Sequence, residues 1–178
     1  RQYLFYRQWL RLKHIANLAG VHFIGDIPIY VAPDSADVWS QPHLFDLTRD
    51  KRPKSVAGVP PDAFSDTGQL WGNPIYRWDR LARDDYGWWM DRIRHNLLVQ
   101  DMVRIDHFRG FAGYWSVPAS ARTAVSGRWV DGPGADLFRT LFKYMPDAAI
   151  LVEDLGVITP DVRELISQFN LPNMKVDR

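Results

Sequence analysis

Apolar positions along the chain follow two alternating patterns. Phe5, Trp9, Leu12, Ala16 and Ala19 recur at steps of four, three, four and three. That spacing marks one face of a helix, and Gly20 closes it, because glycine tolerates the left-handed conformation of a helix end. Val21 to Ile27 reads as a short buried strand running into Gly25-Asp26-Ile27-Pro28. A second helix carries Trp89, Ile93 and Leu97 on one side, with Asp79 as its expected cap. Met102 to Asp106 is the next strand, and Leu137, Leu141 and Met145 mark a third helix. Ala148 to Val152 is a continuous apolar run, the pattern of a parallel strand buried on both faces, and it ends in Glu153-Asp154. Thr159-Pro160 opens a fourth helix with a hydroxyl cap and a proline in the first turn. Val162, Leu165, Ile166 and Phe169 form its inner face, Pro172 ends it, and Met174-Lys175-Val176 starts another strand.

Strands alternating with helices predict βαβ units and a parallel sheet. No G-x-G-x-x-G follows a strand, which argues against a dinucleotide site. Instead three strands end in carboxylates: Asp26, Asp106 and Glu153-Asp154. In a (β/α)8 barrel the catalytic groups stand at the carboxyl ends of the strands. A whole barrel takes roughly 250 residues, so the expected fold is α/β, a partial TIM barrel holding about half of the strands. On this reading residues 1–178 are a piece of one catalytic barrel domain. Residues 30–76, rich in Pro, Gly, Asp and Ser, are a long inserted substrate-binding loop region.

Composition narrows the partners. Of 178 residues 46% are hydrophobic, enough for a sizeable core and too many for a disordered chain. A net charge of +1 speaks against a nucleic-acid partner, and no run approaches the ~18 apolar residues of a membrane span. There is no cysteine, and the five histidines form no close ligand pair, so neither metal nor cofactor is expected. Nineteen aspartates stand against two glutamates, and eight tryptophans are present, a number that suits sugar stacking as well as a core.

The densest chemistry lies in Arg104-Ile105-Asp106-His107-Phe108-Arg109-Gly110 and in Val152-Glu153-Asp154-Leu155-Gly156. Residues two apart on a strand share a face, so Arg104 stands beside Asp106 and favours its ionised form, as a nucleophile needs. Glu153 ends an apolar run, where partial burial favours the protonated form of a general acid. Such a pair suits glycosidic-bond cleavage. The same spacing also fits an aspartate that only pairs with Arg104 or Arg109 and a glutamate that only caps a turn. A second cluster, Pro60 to Pro74, holds Phe64 and Trp71 for stacking and Asp62, Gln69 and Asn73 for hydroxyls. Its composition fits equally a turn-rich loop whose tryptophan folds back into the core. His107 is the one histidine adjoining these groups.

These stretches, with Ile24-Gly25-Asp26-Ile27-Pro28-Ile29-Tyr30, Gly68-Gln69-Leu70-Trp71-Gly72-Asn73-Pro74 and Gly127-Arg128-Trp129-Val130, resemble the amylomaltase or disproportionating-enzyme family, the 4-α-glucanotransferases. The resemblance runs nearly end to end. It implies transfer of α-1,4-glucan segments between maltooligosaccharides by a retaining double displacement. It makes Asp106 the nucleophile, Glu153 the acid/base, Arg104 the group that orients the nucleophile, and Trp71 and Asp62 glucan-binding residues of a mobile loop. Asp26, Gln69, Asn73, His107 and Asp154 join the substrate-binding set. The family's third carboxylate, an aspartate in a His-Asp motif, has no match here, so the chain alone is expected to be inactive. A cytoplasmic location, or a plastid in a plant, is implied. A retaining α-glucan hydrolase and a non-catalytic glucan-binding module are the competing readings.

Overall fold

The computed structural model describes residues 1–153 and 159–174. Helix α1 (Gln2–Leu18) leads into β1 (Ile24–Pro28), and the short helix α2 (Ala36–Ser40) follows. Strands β2 (Ser55–Val59) and β3 (Gln69–Pro74) precede helices α3 (Trp78–Arg83) and α4 (Gly87–Val99). Strands β4 (Met102–Asp106), β5 (Gly113–Pro118) and β6 (Arg128–Asp131) come next. Helix α5 (Ala135–Tyr144), β7 (Ile150–Glu153), α6 (Pro160–Gln168) and β8 (Asn173–Met174) complete the order.

Two four-stranded sheets result. One is parallel, in the order β1-β4-β7-β8, and the other is antiparallel, in the order β3-β2-β5-β6. The parallel sheet alternates cleanly. Ile27, Val103, Ile105, Ile150 and Val152 point to one face and are buried, while Asp26, Arg104, Asp106 and Glu153 stand on the other. The continuous apolar run before Glu153 is therefore not buried on both faces, since Leu151 is only partly covered. Helices pack on the apolar face, where Trp89, Phe108, Phe111, Phe138, Leu137 and Leu141 form one core. Burying each such side chain contributes about 1.5–3 kcal/mol.

Three local expectations change. The reach from Asp79 to Leu97 is two helices, because Asp85 and Tyr86 take positive φ values of 46° and 54° and break the helix between them. Asp79 is not a cap; it lies in the first turn of α3 and pairs with Arg77 at 3.1 Å. Thr159 precedes α6, but its hydroxyl makes no capping bond there; Arg109 Nη2 donates to it at 3.3 Å.

The third change concerns α1. It ends as expected, with Gly20 at φ 78°, but only part of its apolar stripe docks, through the half-buried Trp9 and Ala16. Phe5 and Leu12 are exposed. Tyr6, Trp9, Lys13 and Asn17 face the body through polar bonds, with Trp9 Nε1 donating to the Val99 carbonyl and Lys13 paired to Asp101 at 2.6 Å. Apolar residues surround most of α1, so periodicity alone did not select its contact face.

The stretch read as an inserted loop at 30–76 contributes β2 and β3, and the stretch from Gly110 to Gly134 contributes β5 and β6. The two irregular-looking segments complete one another as a single sheet. Gly58 and Gly68 allow it: a Cβ at Gly58 would lie 2.3 Å from the Gln69 carbonyl oxygen, and Gly68 takes φ 66°.

Candidate active site

Register brings the charged groups together. Asp26 on β1 stands opposite Arg104 on β4, and Pro28 opposite Asp106. Ile105 stands opposite Val152 on β7, which sets Glu153 one residue further along, at the carboxyl end of the sheet. Arg104 gathers all three carboxylates. Its Nη1 donates to Asp26 at 2.7 Å, and its Nη2 lies 2.9 Å from Asp106 and 3.5 Å from Glu153. Burial alone would lower the Arg104 pKa, but the three acids outweigh it and hold the guanidinium firmly charged.

The two candidate catalytic carboxyls are unequal. Asp106 is 43% exposed at its side chain and Glu153 only 16%. Burial pushes the Glu153 carboxyl above its ordinary value, and a hydrogen bond and negative charge from Asp106 push it further. The His107 N–H and Arg104 pull the other way without reversing the shift. Burial and the neighbouring Asp106 thus favour the neutral form of Glu153, the direction a general acid needs, while Asp106 lies 2.9 Å from the guanidinium.

His107 turns the chain at the end of β4. Its φ of 54° is in the left-handed region, which directs its backbone N–H to Glu153 Oε2 at 2.5 Å. Its imidazole is packed edge-on against Trp71 with ring centres 4.7 Å apart. Burial, then the charge of Arg109, lowers the imidazole pKa to about 4, so the ring is neutral at physiological pH.

Strand β3 carries Gln69, Trp71 and Asn73, and its register against β2 shifts between Leu70 and Pro74, where Gly72 takes φ 82°. The Trp71 indole N–H donates to Gln69 at 3.1 Å, and Asn73 donates to the Val31 carbonyl at 3.0 Å. Trp71 is 38% exposed, so it does not fold back into the core. A cleft of about 190 Å³ is lined by Pro28, Ile29, Tyr30, Trp71, Asn73, Asp106 and His107. Sequence reasoning did not assign Tyr30 a role, although its place just beyond β1 was a usable signal; it is buried and lies 6.4 Å from Trp71.

Other expected site residues are not in this cleft. Asp62 accepts from the N–H groups of Phe64 and Ser65, both at 2.9 Å, which makes it the organiser of its own turn between β2 and β3. Phe64 at that turn is 89% exposed. Arg109 does not pair with Asp106; its guanidinium lies over the Trp129 ring at 4.0 Å. Asp154 lies outside the described residues. Among the described residues no group of three or more His, Cys, Asp or Glu is placed to hold a metal ion, and no helix is long and apolar enough to cross a membrane.

The molecule is thus an α/β protein whose parallel sheet ends in two carboxyls of unequal exposure gathered by one arginine, with Trp71 of β3 packed against the adjoining His107. The sequence model described as 4-alpha-glucanotransferase matches residues 1–178, and the chain belongs to that family. It is 54% identical over 175 residues to the 4-alpha-glucanotransferase of Thermus thermophilus, covering 98% of this chain and 35% of the relative. It is 49% identical to the chloroplastic/amyloplastic 4-alpha-glucanotransferase of Arabidopsis thaliana, covering 99% of this chain and 31% of that protein. The amylomaltase of Streptococcus agalactiae, solved in complex with acarbose, superposes with a TM-score of 0.95 at 47% identity, over 98% of this chain and 35% of that one. The chain therefore spans about a third of the length of the relatives it matches.

Proposed function

We propose that this chain is the acid/base and nucleophile-bearing part of a 4-α-glucanotransferase that moves α-1,4-glucan segments between maltooligosaccharides. The observation that carries the reading is the Arg104 cluster, in which Asp106 and the half-buried Glu153 share one guanidinium and burial raises the Glu153 pKa. Asp106 attacks the anomeric carbon as Glu153 protonates the leaving glycosidic oxygen. The covalent glucosyl intermediate is then attacked by the 4-hydroxyl of an acceptor glucan, which Glu153 deprotonates. Two inversions retain the α configuration. The sharing of one Arg104 nitrogen by both carboxyls, at 2.9 and 3.5 Å, supports retention, because an inverting pair stands roughly 6.5–9.5 Å apart to admit water.

Arg104 orients Asp106, and Asp26 shares that arginine at the rim. Trp71, with Tyr30 and His107 behind it, stacks on the sugar and shields the intermediate from water, while Gln69 and Asn73 offer amides to its hydroxyls. Asp62 and Phe64 reach the glucan from the loop tip, and Asp154, the next residue in the sequence after Glu153, belongs to the same substrate-binding set. The parallel sheet is read as part of a (β/α)8 barrel, with residues 30–76 as its inserted region. The uncovered face of α1 is where the rest of such a barrel packs. Lacking a match to the family's third carboxylate, the 178-residue chain is inactive by itself. The enzyme works in the cytoplasm, or in a plastid in a plant. A retaining hydrolase would use the same pair and is told apart by its products, while mere glucan binding is the weaker reading, since it needs no pair of carboxyls gathered on one arginine.

Incubation with maltotriose tests this, using a family-length enzyme that contains this chain. Glucose with a ladder of longer maltodextrins, abolished by Asp106→Asn, is the expected result. Glucose and maltose alone would establish a hydrolase, and a folded but silent enzyme would sink the catalytic reading.

A further inference from the structure

Away from the cleft, a cavity of about 240 Å³ opens between β6 and the start of α6, lined by Arg109, Gly113, Trp129, Asp131, Thr159 and Asp161 among others. Arg109 follows Asp106 by three residues and Thr159 follows Glu153 by six, so the cavity lies at the same end of the parallel sheet as the carboxyl pair. We propose that this cavity is a separate binding subsite for one pyranose ring of an α-glucan chain, remote from the bond being broken. The proposal rests on the transferase reading for the identity of the chain.

Its chemistry selects a neutral polyol. Arg109 is only 8% exposed, yet among the described residues its side chain makes one hydrogen bond, to Thr159 at 3.3 Å, and its Nε is buried without a partner. The Nε is closed to a ligand as it is to water, but Nη1 makes no hydrogen bond among the described residues and is not enclosed in that way, so it is the donor an acceptor in the cavity would meet. An anion is an unsuitable acceptor, because the carboxylates of Asp131 and Asp161 line the same space. Sugar hydroxyls accept from Arg109 and donate to those carboxylates at once. Trp129 remains 45% exposed although Trp115 packs edge-on against it at 5.3 Å and Arg109 lies over its ring. That braced indole offers a rigid apolar surface to the C–H face of a pyranose. The volume is below the roughly 300–1,000 Å³ of a site for a drug-sized ligand, which limits the occupant to a single ring.

The test compares short and long substrates in a family-length enzyme that contains this chain. In Trp129→Ala the KM for maltoheptaose rises about tenfold more than that for maltotriose, as loss of one aromatic contact predicts. Trp129→Phe, which keeps a stacking ring, restores most of that difference. The isosteric Asp131→Asn, which leaves the packing intact, shifts the ratio in the same direction. Equal changes for both substrates in Trp129→Ala and Asp131→Asn, with the wild type active, would overturn the subsite and leave the transferase reading standing. Maltoheptaose binding followed by tryptophan fluorescence separates the opposite case: a wild type that binds through Trp129 but transfers nothing would sink the transferase and keep the subsite.

Discussion

Replacing Glu153 with glutamine isolates the acid/base group that the fold places at the end of β7. The side chain keeps its shape, and an amide oxygen still accepts from the His107 N–H that now contacts Glu153 Oε2 at 2.5 Å. What disappears is the ability to give and take a proton. General acid/base catalysis contributes about 10²–10⁴-fold, so transfer from maltotriose should fall by that factor, or about 2.7–5.4 kcal/mol at 1.36 kcal/mol per decade. A donor with fluoride as leaving group, such as maltotriosyl fluoride, needs no protonation. Its first-turnover release of fluoride should therefore survive in Glu153→Gln and vanish in Asp106→Asn. Stability gives a second readout with a definite sign. The folded-state pKa of Glu153 is raised, chiefly by burial. Its contribution is fully present below the unfolded pKa of about 4.3 and is lost as pH rises through the folded value. Glutamine stays neutral throughout, so the variant should melt with the wild type near pH 4 and above it at pH 8. Equal loss of activity on both donors, with a melting difference independent of pH, would refute Glu153 as the buried acid.

His107 supplies a pH effect of opposite sign. Its imidazole pKa is depressed to about 4, first by burial and then by Arg109, so the stability it contributes is complete above ~6.5 and is lost as pH falls toward 4. NMR should show its ring signals flat from pH 8 to 5, and titration near 6.5 would contradict the packing against Trp71. Gly110→Ala places a Cβ 2.7 Å from Ile29 Cδ1 and 3.2 Å from His107 Cδ2. The isoleucine tip can give way, so a loss of about 1–3 kcal/mol is expected from denaturant unfolding. A neutral result would show that this corner of the cleft is loosely packed.

The strands and their charged ends were legible because each is a local pattern. Arg104-Ile105-Asp106 alternates, so one face had to carry both charges, and β7 ends in a carboxylate that no buried strand could continue. The helices α5 and α6 were equally plain, since Leu137, Leu141, Val162 and Leu165 recur at helical spacing and are buried. Gln69, Trp71 and Asn73 could have been read as alternate positions of a strand, but glycines and prolines around them suggested a loop.

Other features depend on which segments meet, and no single segment holds that information. The antiparallel sheet exists because β2 finds β5 across more than fifty residues, so neither partner shows a complete sheet pattern by itself. The apolar stripe of α1 named a face but no partner for it, and polar bonds to Asp101, His95 and Val99 set which part of it docks. The sequence offers Asp62 as a ligand for hydroxyls, and the fold also uses its Oδ1 to accept from the N–H groups of Phe64 and Ser65. The sharing of Arg104 among Asp26, Asp106 and Glu153 is likewise a product of strand register. Residue types and spacing thus determined the strands of the parallel sheet, most of the helices and the candidate chemistry of this chain. Tertiary structure decided the raised pKa of Glu153, because burial and charge there come from neighbours 46 and more residues away, His107, Asp106 and Arg104.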